Sequence, residues 1–179
     1  MKKALLLLPL CVCAVIVLKA QVNNTSYINA SGEKVLQLTM TIPLDAKEAW
    51  KYFTVDSLLS LWIAPVAHIE LKNGGTILTN YDKTKSLSDS SSIKLDILSY
   101  LENELLVLKV KLNAHFPLKT QEEDQHLQEI IQLVPVTPGK TRIISSMIGW
   151  GRGKEWDQTY DFFVKGNEWT YRELLKWMK

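Results

Sequence analysis

The residue types that most often carry chemistry are sparse in this sequence. Its three histidines are His68, His115 and His126, and a metal site would need two or three of them to converge. They show neither H-x-x-x-H nor H-E-x-x-H spacing. His68 shares a side of its expected strand with Val66 and Glu70, and His115 and His126 fall among polar or charged residues. The pattern therefore predicts three solvated surface histidines and no metal site.

Nucleophilic catalysis also lacks a motif. There is no G-x-S-x-G, and Ser145 and Ser146 lie within an expected strand with no identifiable base. The glycine-rich run 149–153 (GWGRG) leads from a strand into a helix, so its N–H groups and Arg152 could hold an anion. A flexible turn onto the helix explains the same glycines, and the run matches no cofactor-binding pattern. No cofactor is predicted.

The sequence predicts a long C-terminal helix directly after this glycine-rich run. Apolar and aromatic residues recur there in steps of three and four, with one interval of eight, which places them on one stripe of an α-helix. The stripe comprises Trp156, Tyr160, Phe163, Tyr171, Leu174 and Met178, with Asn167 as the only polar residue in its register. Gly166 interrupts the helix at a cost of about 1 kcal/mol relative to alanine, which predicts a kink or fraying there.

The upstream chain supplies the apolar surface that such a helix needs. Residues 35–42 alternate as a half-buried strand, and two short helices follow, the first with a capping box formed by Asp45 and Glu48. Three hairpins then lead to the terminal helix, with a polar loop at 82–92 and a charged connector at 117–126. The strands are expected at 66–71, 76–81, 93–100, 105–112, 127–134 and 141–149. This order predicts an α+β domain in which a curved antiparallel sheet of about seven strands grips the helix.

The first twenty residues have a different character. Lys2 and Lys3 precede a nearly pure apolar run, residues 4–18, and Lys19-Ala20 precedes a polar start at Gln21. This is the pattern of a secretory signal peptide cleaved after Ala20, and it predicts a secreted or periplasmic protein. An uncleaved anchor is the alternative, although the apolar run is short for a span of roughly 30 Å. We expect a polar, loose leader at 21–34 and a single domain at 35–179.

Cleavage of the signal peptide would change the cysteine content and the net charge of the remaining chain. Both cysteines leave with it, so the remaining chain can form no disulfide and has no thiolate. Three of the 21 basic residues also leave, and the 18 that remain face 19 acidic ones, a net charge of −1. A near-neutral domain gives no electrostatic reason to expect a nucleic-acid partner.

Three stretches carry a resemblance to a known family. They are residues 49–62 (AWKYFTVDSLLSLW), Asn73-Gly74-Gly75 before a strand, and residues 169–178 (WTYRELLKWM). With the order of elements, they resemble the START-like (SRPBCC) superfamily of helix-grip proteins. Within it they look like the branch named after the C-terminal domain of the heat-shock-protein-90 ATPase activator. The quoted residues are mostly packing residues, so the likeness bears on fold more than on function.

The resemblance implies a cavity between the sheet and the long helix that binds apolar or amphiphilic small molecules. In such a fold the start of the helix borders the opening, where aromatic walls with a few polar groups would form a ligand site. The candidate ligand-binding residues are therefore Trp150, Arg152, Glu155, Trp156 and Tyr160, with Trp62 and Tyr81 as secondary candidates. The alternative, which the aromatic stripe favours, is that Trp156 and Tyr160 fill the core.

Three functions remain open on this reasoning. The first is non-catalytic binding of a small apolar or amphiphilic ligand, without a stable membrane anchor after cleavage. The second is a cavity enzyme of the cyclase or hydrolase kind, with Arg152, Glu155 and Tyr160 as its polar groups, which an isolated carboxylate in the cavity would favour. The third is a protein-interaction module, which a filled interior with an exposed apolar patch would favour. A cytosolic chaperone-activator role does not fit an exported chain.

Overall fold

One antiparallel sheet and one long helix dominate the architecture. The computed structural model describes residues 20–178, so the predicted signal peptide lies outside the described residues except for Ala20. The strands are β1 Asn23–Asn24, β2 Tyr27–Ile28, β3 Lys34–Ile42, β4 Val66–Ile69, β5 Thr76–Asn80, β6 Ile93–Leu101, β7 Leu105–Val110, β8 Gln128–Thr137 and β9 Lys140–Ile148. The helices are α1 Ala46–Thr54, α2 Asp56–Leu59, α3 Leu118–Glu123 and α4 Lys154–Trp177.

Strand order follows from the hairpins. The seven principal strands pair in the order β3-β9-β8-β7-β6-β5-β4, and all pairs are antiparallel. The first of them in the chain, β3, therefore pairs with the last strand, β9. Each hairpin turn is tight, and Gly74, in the β4–β5 turn, has φ +76°, a conformation that glycine adopts without steric cost. The predicted α+β class, with about seven strands gripping a terminal helix, is confirmed.

Alternation along the strands separates two faces of the sheet. On β3, Leu36, Leu38, Met40 and Ile42 are all buried, while the intervening residues are partly exposed. On β9, Ile143 and Met147 are buried on the same inner face. Period-two patterning directs one face of each strand toward α4 and the core.

The two short helices after β3 form as predicted, with one difference at the cap. Asp45 accepts a hydrogen bond from the backbone N–H of Glu48 at 2.9 Å, which caps α1. The Glu48 carboxylate, however, lies 2.7 Å from Nζ of Lys51, so the reciprocal half of the capping box is replaced by an i,i+3 ion pair. Helix α1 buries Ala49, Trp50 and Phe53.

The terminal helix is continuous for 24 residues. The expected kink or fraying at Gly166 is wrong, because helical structure runs unbroken through this position. Packing supplies the reason: Phe163 and Tyr171 bind the helix to the core on either side of the glycine, and their burial outweighs its poor helix propensity.

Two segments are more ordered than the sequence indicates. The polar leader, expected to be loose, forms β1 and β2, which pair with the outer edge of β3, and Val22 within it is buried. The connector at 117–126 contains α3, which lies against the start of α4. No helix within residues 20–178 is both long enough and apolar enough to cross a membrane.

Candidate functional site

A cavity lies between α4 and the inner face of the sheet. Its volume is about 810 Å³, within the range typical of small-molecule sites. Strands β5 to β8 form the floor, α4 forms the roof, and α1 with the α1–α2 region closes one side. The wall is largely apolar and includes Phe53, Leu59, Trp62, Ile63, Ile77, Leu95, Leu106, Leu108, Val110, Ile131 and Phe163.

The carboxyl group of Glu129 lies among the apolar residues of this wall. Oε1 of Glu129, on β8, accepts a hydrogen bond from Oγ of Ser145 on β9 and another from the hydroxyl of Tyr171 on α4, both at 2.7 Å. Ser145 is fully buried and Tyr171 is 2% exposed. We call Glu129, Ser145 and Tyr171 the carboxyl site.

The second oxygen of Glu129 is differently placed. Oε2 has no hydrogen-bond donor within residues 20–178. Within residues 20–178, the one solvent-inaccessible side-chain N or O atom without a hydrogen-bond partner is Oγ1 of Thr141. Since Oε2 of Glu129 also has no partner, it must retain some accessible surface. Because Glu129 lines the cavity, the free surface of Oε2 faces that space.

Burial controls the protonation of both acidic groups in the carboxyl site. Desolvation raises the pKa of Glu129, and the hydrogen bonds from Ser145 and Tyr171 oppose the shift without cancelling it. Desolvation also raises the pKa of Tyr171 well above its ordinary value, and the adjacent Glu129 charge adds to the effect. A proton on Glu129 would reside on Oε2, because Oε1 already accepts two hydrogen bonds.

The sequence contains a signal for Glu129, although this residue belongs to no motif. Ile131 and Leu133 on β8, and Leu127 just before it, alternate as buried residues, and Glu129 occupies the same inward register. A charged residue in an inward register requires a partner or a function. Its partners come from other elements, and only the register β8 shares with β9 brings Ser145 close.

Aromatic side chains form the rim of the cavity. Tyr81, Phe162 and Trp169 are each more than half exposed and all three line the opening. Phe116 packs edge-to-face against Phe162 at 5.1 Å and stacks on Phe163 at 5.3 Å, which fixes that side of the rim. The polar residues of the wall near this rim come from the β5–β6 connection with its flanking strand end and from the segment after β7: Asn80, Asp82, Lys85, Ser91, Lys111, Asn113 and His115.

Two of the seven predicted ligand residues lie in the cavity wall. Trp62 stacks on Tyr171 with centroids 5.8 Å apart and donates from Nε1 to the carbonyl of Tyr52 at 2.8 Å. Tyr81 follows β5 and lies at the rim. The sequence could not fix the side of the sheet on which Tyr81 lies, and the structure places it on the cavity side.

The other five lie outside the cavity wall, at the start of α4. Trp156 is 2% exposed and donates from Nε1 to Oε2 of Glu123 at 2.8 Å. Glu155 lies 3.7 Å from Nζ of Lys119, also on α3. Helix α3 thus covers the end of α4 that was expected to border the opening, so Trp156 fills core rather than cavity.

The remaining members of this group pack nearby. Trp150 donates to the carbonyl of Met147 at 3.0 Å and contacts Tyr160 edge-to-face at 5.0 Å, while Arg152 is exposed. Gly149 has φ +85°, and a Cβ there would lie 2.0 Å from the carbonyl oxygen of His126. A close backbone approach therefore accounts for this glycine without an anion.

The histidines do not converge. Nδ1 of His68 lies 2.7 Å from Asp56, His115 lies at the cavity rim, and His126 is exposed. Within residues 20–178 no three His, Cys, Asp or Glu side chains gather as metal ligands would.

Comparisons with known proteins support the fold. Neither a protein-family model nor a curated protein matches the sequence. Solved structures do match. CalU16 from Micromonospora echinospora has a TM-score of 0.62 at 13% identity, covering 89% of this chain and 84% of its own. Protein MLL2253 from Mesorhizobium loti has a TM-score of 0.61 at 15% identity, covering 79% of this chain and 94% of its own.

An HSP90 activator from Plasmodium falciparum also matches, with a TM-score of 0.52 at 15% identity over 73% of this chain and 88% of its own. These similarities confirm the helix-grip fold predicted from the sequence. At such low identity they define a class of fold and carry no activity from one protein to another.

Proposed function

We propose that this protein is an exported helix-grip domain that binds a small apolar or amphiphilic molecule between the sheet and α4. The observation that carries the proposal is the cavity of about 810 Å³, whose wall is mostly apolar and contains one carboxyl site. Apolar walls with a few convergent polar groups are what a small-molecule site requires. The exposed aromatic rim gives an apolar ligand a surface on which to enter.

The interaction-module alternative has less support. It would be favoured by a filled interior, whereas the space under α4 is open. Three of the exposed aromatics, Tyr81, Phe162 and Trp169, line the cavity, whereas Tyr27 and Trp177 do not. Ligand entry accounts for the exposure of the three that line the cavity.

Native mass spectrometry tests the binding proposal. The protein would be expressed with its N-terminal segment in a bacterial host, recovered from the periplasm and compared in native and denatured form. An added mass of a few hundred daltons that denaturation releases is the expected result. A clean apo mass, repeated after incubation with lipid extract, would refute ligand binding. An N-terminus at Gln21 in the denatured spectrum would test export in the same experiment.

A matched pair of variants locates the ligand. Gly166 lines the cavity, and a Cβ built there has no heavy atom within 4 Å, so Gly166→Leu places a side chain in open space. Lys165→Leu adds the same side chain at a neighbouring exposed position. We expect Gly166→Leu to lose the added mass and Lys165→Leu to keep it. Equal retention by both would place the ligand elsewhere.

Catalysis in the same cavity is the second candidate, favoured by one observation. The carboxyl of Glu129 lies among apolar residues of the cavity wall and has a raised pKa, which suits a general acid or base. The sequence indicated Glu155 as the possible acid or base, but Glu155 lies outside the cavity. Glu129 is therefore the candidate for that role. If the protein is an enzyme, the ligand released by denaturation should be converted over time by wild type and not by Glu129→Gln. Recovery of the unchanged ligand from wild type would contradict catalysis and leave ligand binding as the proposed function.

A further inference from the structure

The carboxyl site is an incomplete hydrogen-bonding arrangement. Oε1 of Glu129 receives two donors at 2.7 Å, whereas Oε2 receives none within residues 20–178. Both protein donors point at the carboxyl as an acceptor, and no Lys, Arg or His of the described residues forms an ion pair with it. A carboxyl with one oxygen satisfied by the protein and the other open to a cavity can accept a further hydrogen bond there.

We infer that Oε2 of Glu129 is the subsite for the polar group of the cavity ligand, and that this group is a hydrogen-bond donor, an amine or a hydroxyl. The inference rests on the proposed function and specifies its ligand class: an apolar body whose inner end donates to a carboxyl. The rest of the cavity floor accommodates the apolar body, since Leu108 and Ile131 adjoin Glu129 in the wall.

The geometry disfavours a ligand that presents a carboxylate at this end. With Glu129 ionised, a carboxylate would meet Oε2 as a second acceptor, and two like charges in an enclosed site repel. A proton on Oε2 would instead donate to such a ligand, so the probes are compared at a pH above the pKa of Glu129. Asn167 does not reverse this preference, because its amide is neutral and does not offset the repulsion between two carboxylates; one contact of its Nδ2 is to Sδ of Met147 at 3.1 Å. The lysines that line the cavity, Lys85 and Lys111, lie with the polar residues of the rim and would act on the outer end of a ligand.

Three probes with one chain and different head groups test the inference. Decylamine, 1-decanol and decanoate would be titrated by calorimetry into wild type, Glu129→Gln and Glu104→Gln. Glu104 is exposed on the β6–β7 turn, so its substitution changes net charge by the same amount without touching the cavity. In Glu129→Gln the oxygen must still accept from Ser145 and Tyr171, which places the amide NH₂ where Oε2 was.

The variant therefore replaces an acceptor by a donor at one point, and the probe ranking should invert. Wild type should bind decylamine and 1-decanol more tightly than decanoate. Glu129→Gln should bind decylamine about tenfold or more weakly, because a hydrogen bond to a charged group is lost, while decanoate gains. Decanol should change least, since a hydroxyl both donates and accepts. Glu104→Gln should keep the wild-type ranking.

The outcomes separate the inference from the function on which it rests. Binding of all three probes without a ranking, or a ranking that Glu129→Gln leaves intact, overturns the donor subsite and leaves cavity binding standing. Failure of wild type to bind any probe overturns both.

A measurement on wild type covers the case in which Glu129→Gln does not fold. Carbon-13 NMR of the glutamate carboxyls would follow Glu129 through a pH titration with and without decylamine. A cation at Oε2 favours the ionised carboxyl, so the titration midpoint of Glu129 should fall when decylamine is bound. An unchanged midpoint with decylamine bound overturns the inference.

Discussion

The hydroxyl of Tyr171 donates a hydrogen bond to Oε1 of Glu129 over 2.7 Å and so joins the terminal helix to the middle of the sheet. The two residues are 42 positions apart in the chain. Both lie in the cavity wall, so one contact contributes to the stability of the fold and to the chemistry of the site. The first two predictions concern this pair.

Tyr171→Phe should lower the free energy of unfolding by about 1–3 kcal/mol, because it removes a donor from a buried carboxyl and leaves the ring packing in place. Tyr160→Phe on the same helix is the control, since its hydroxyl forms no hydrogen bond within residues 20–178, and it should change stability by less than about 0.5 kcal/mol. Urea unfolding measures both. Equal losses would show that the Tyr171 hydroxyl contributes nothing specific.

The raised pKa of Glu129 makes a signed prediction about pH. Its folded-state pKa exceeds the ordinary value of 4.5, so the folded protein binds the proton more tightly than the unfolded chain does. This contribution to stability is fully present below the unfolded pKa and is lost as pH rises through the folded pKa. Each unit of elevation corresponds to about 1.4 kcal/mol.

Glu129→Gln should therefore gain stability relative to wild type as pH rises. The comparison is made by urea unfolding at about pH 4 and about pH 8, and the difference between the two proteins isolates Glu129 because the other titrating groups are common to both. The rim groups Asp82, Lys85, Lys111 and His115 belong to that shared background. A difference that stays constant with pH, or one that grows in favour of wild type, would contradict the raised pKa.

Two glycines should respond oppositely to alanine. Gly166 lies inside α4 with open space where a Cβ would be, so Gly166→Ala should stabilise the protein by about 0.5–1 kcal/mol through helix propensity. A Cβ on Gly151 would lie 2.1 Å from Nε1 of Trp156, so Gly151→Ala should destabilise it. Thermal unfolding of both variants tests the assignment. A loss at Gly166 would mean that the space beside it is not open.

Two tryptophans separate packing from binding. Trp156 is 2% exposed and hydrogen-bonded to Glu123, so Trp156→Ala should cost about 3–5 kcal/mol. Trp169 is 54% exposed at the cavity rim, so Trp169→Ala should cost less than about 1 kcal/mol and weaken binding of a decyl-chain probe. Unfolding and calorimetry measure the two effects. A loss well under 1 kcal/mol at Trp156 would restore it as a ligand contact.

Order and patterning in the sequence were enough to predict the fold. Strand alternation, turn residues such as Gly74 and the stripe on α4 are local signals, and each specifies an element and its buried face without reference to distant residues. Their succession predicts a sheet that grips a helix. Trp62 and Tyr81 were also identified in advance as candidates, and both lie in the cavity wall.

Packing between elements decided the site. The sequence predicted ligand-binding residues at the start of α4. That prediction missed α3, because no local signal shows that the charged connector forms a helix that covers Trp156. Glu129 was not among the predicted site residues. A single glutamate in a strand becomes a candidate site only when Ser145 from β9 and Tyr171 from α4 donate hydrogen bonds to it. Periodicity along one element determines which face is buried, whereas a site depends on contacts between residues that are distant in the chain. Those contacts exist only in the folded protein.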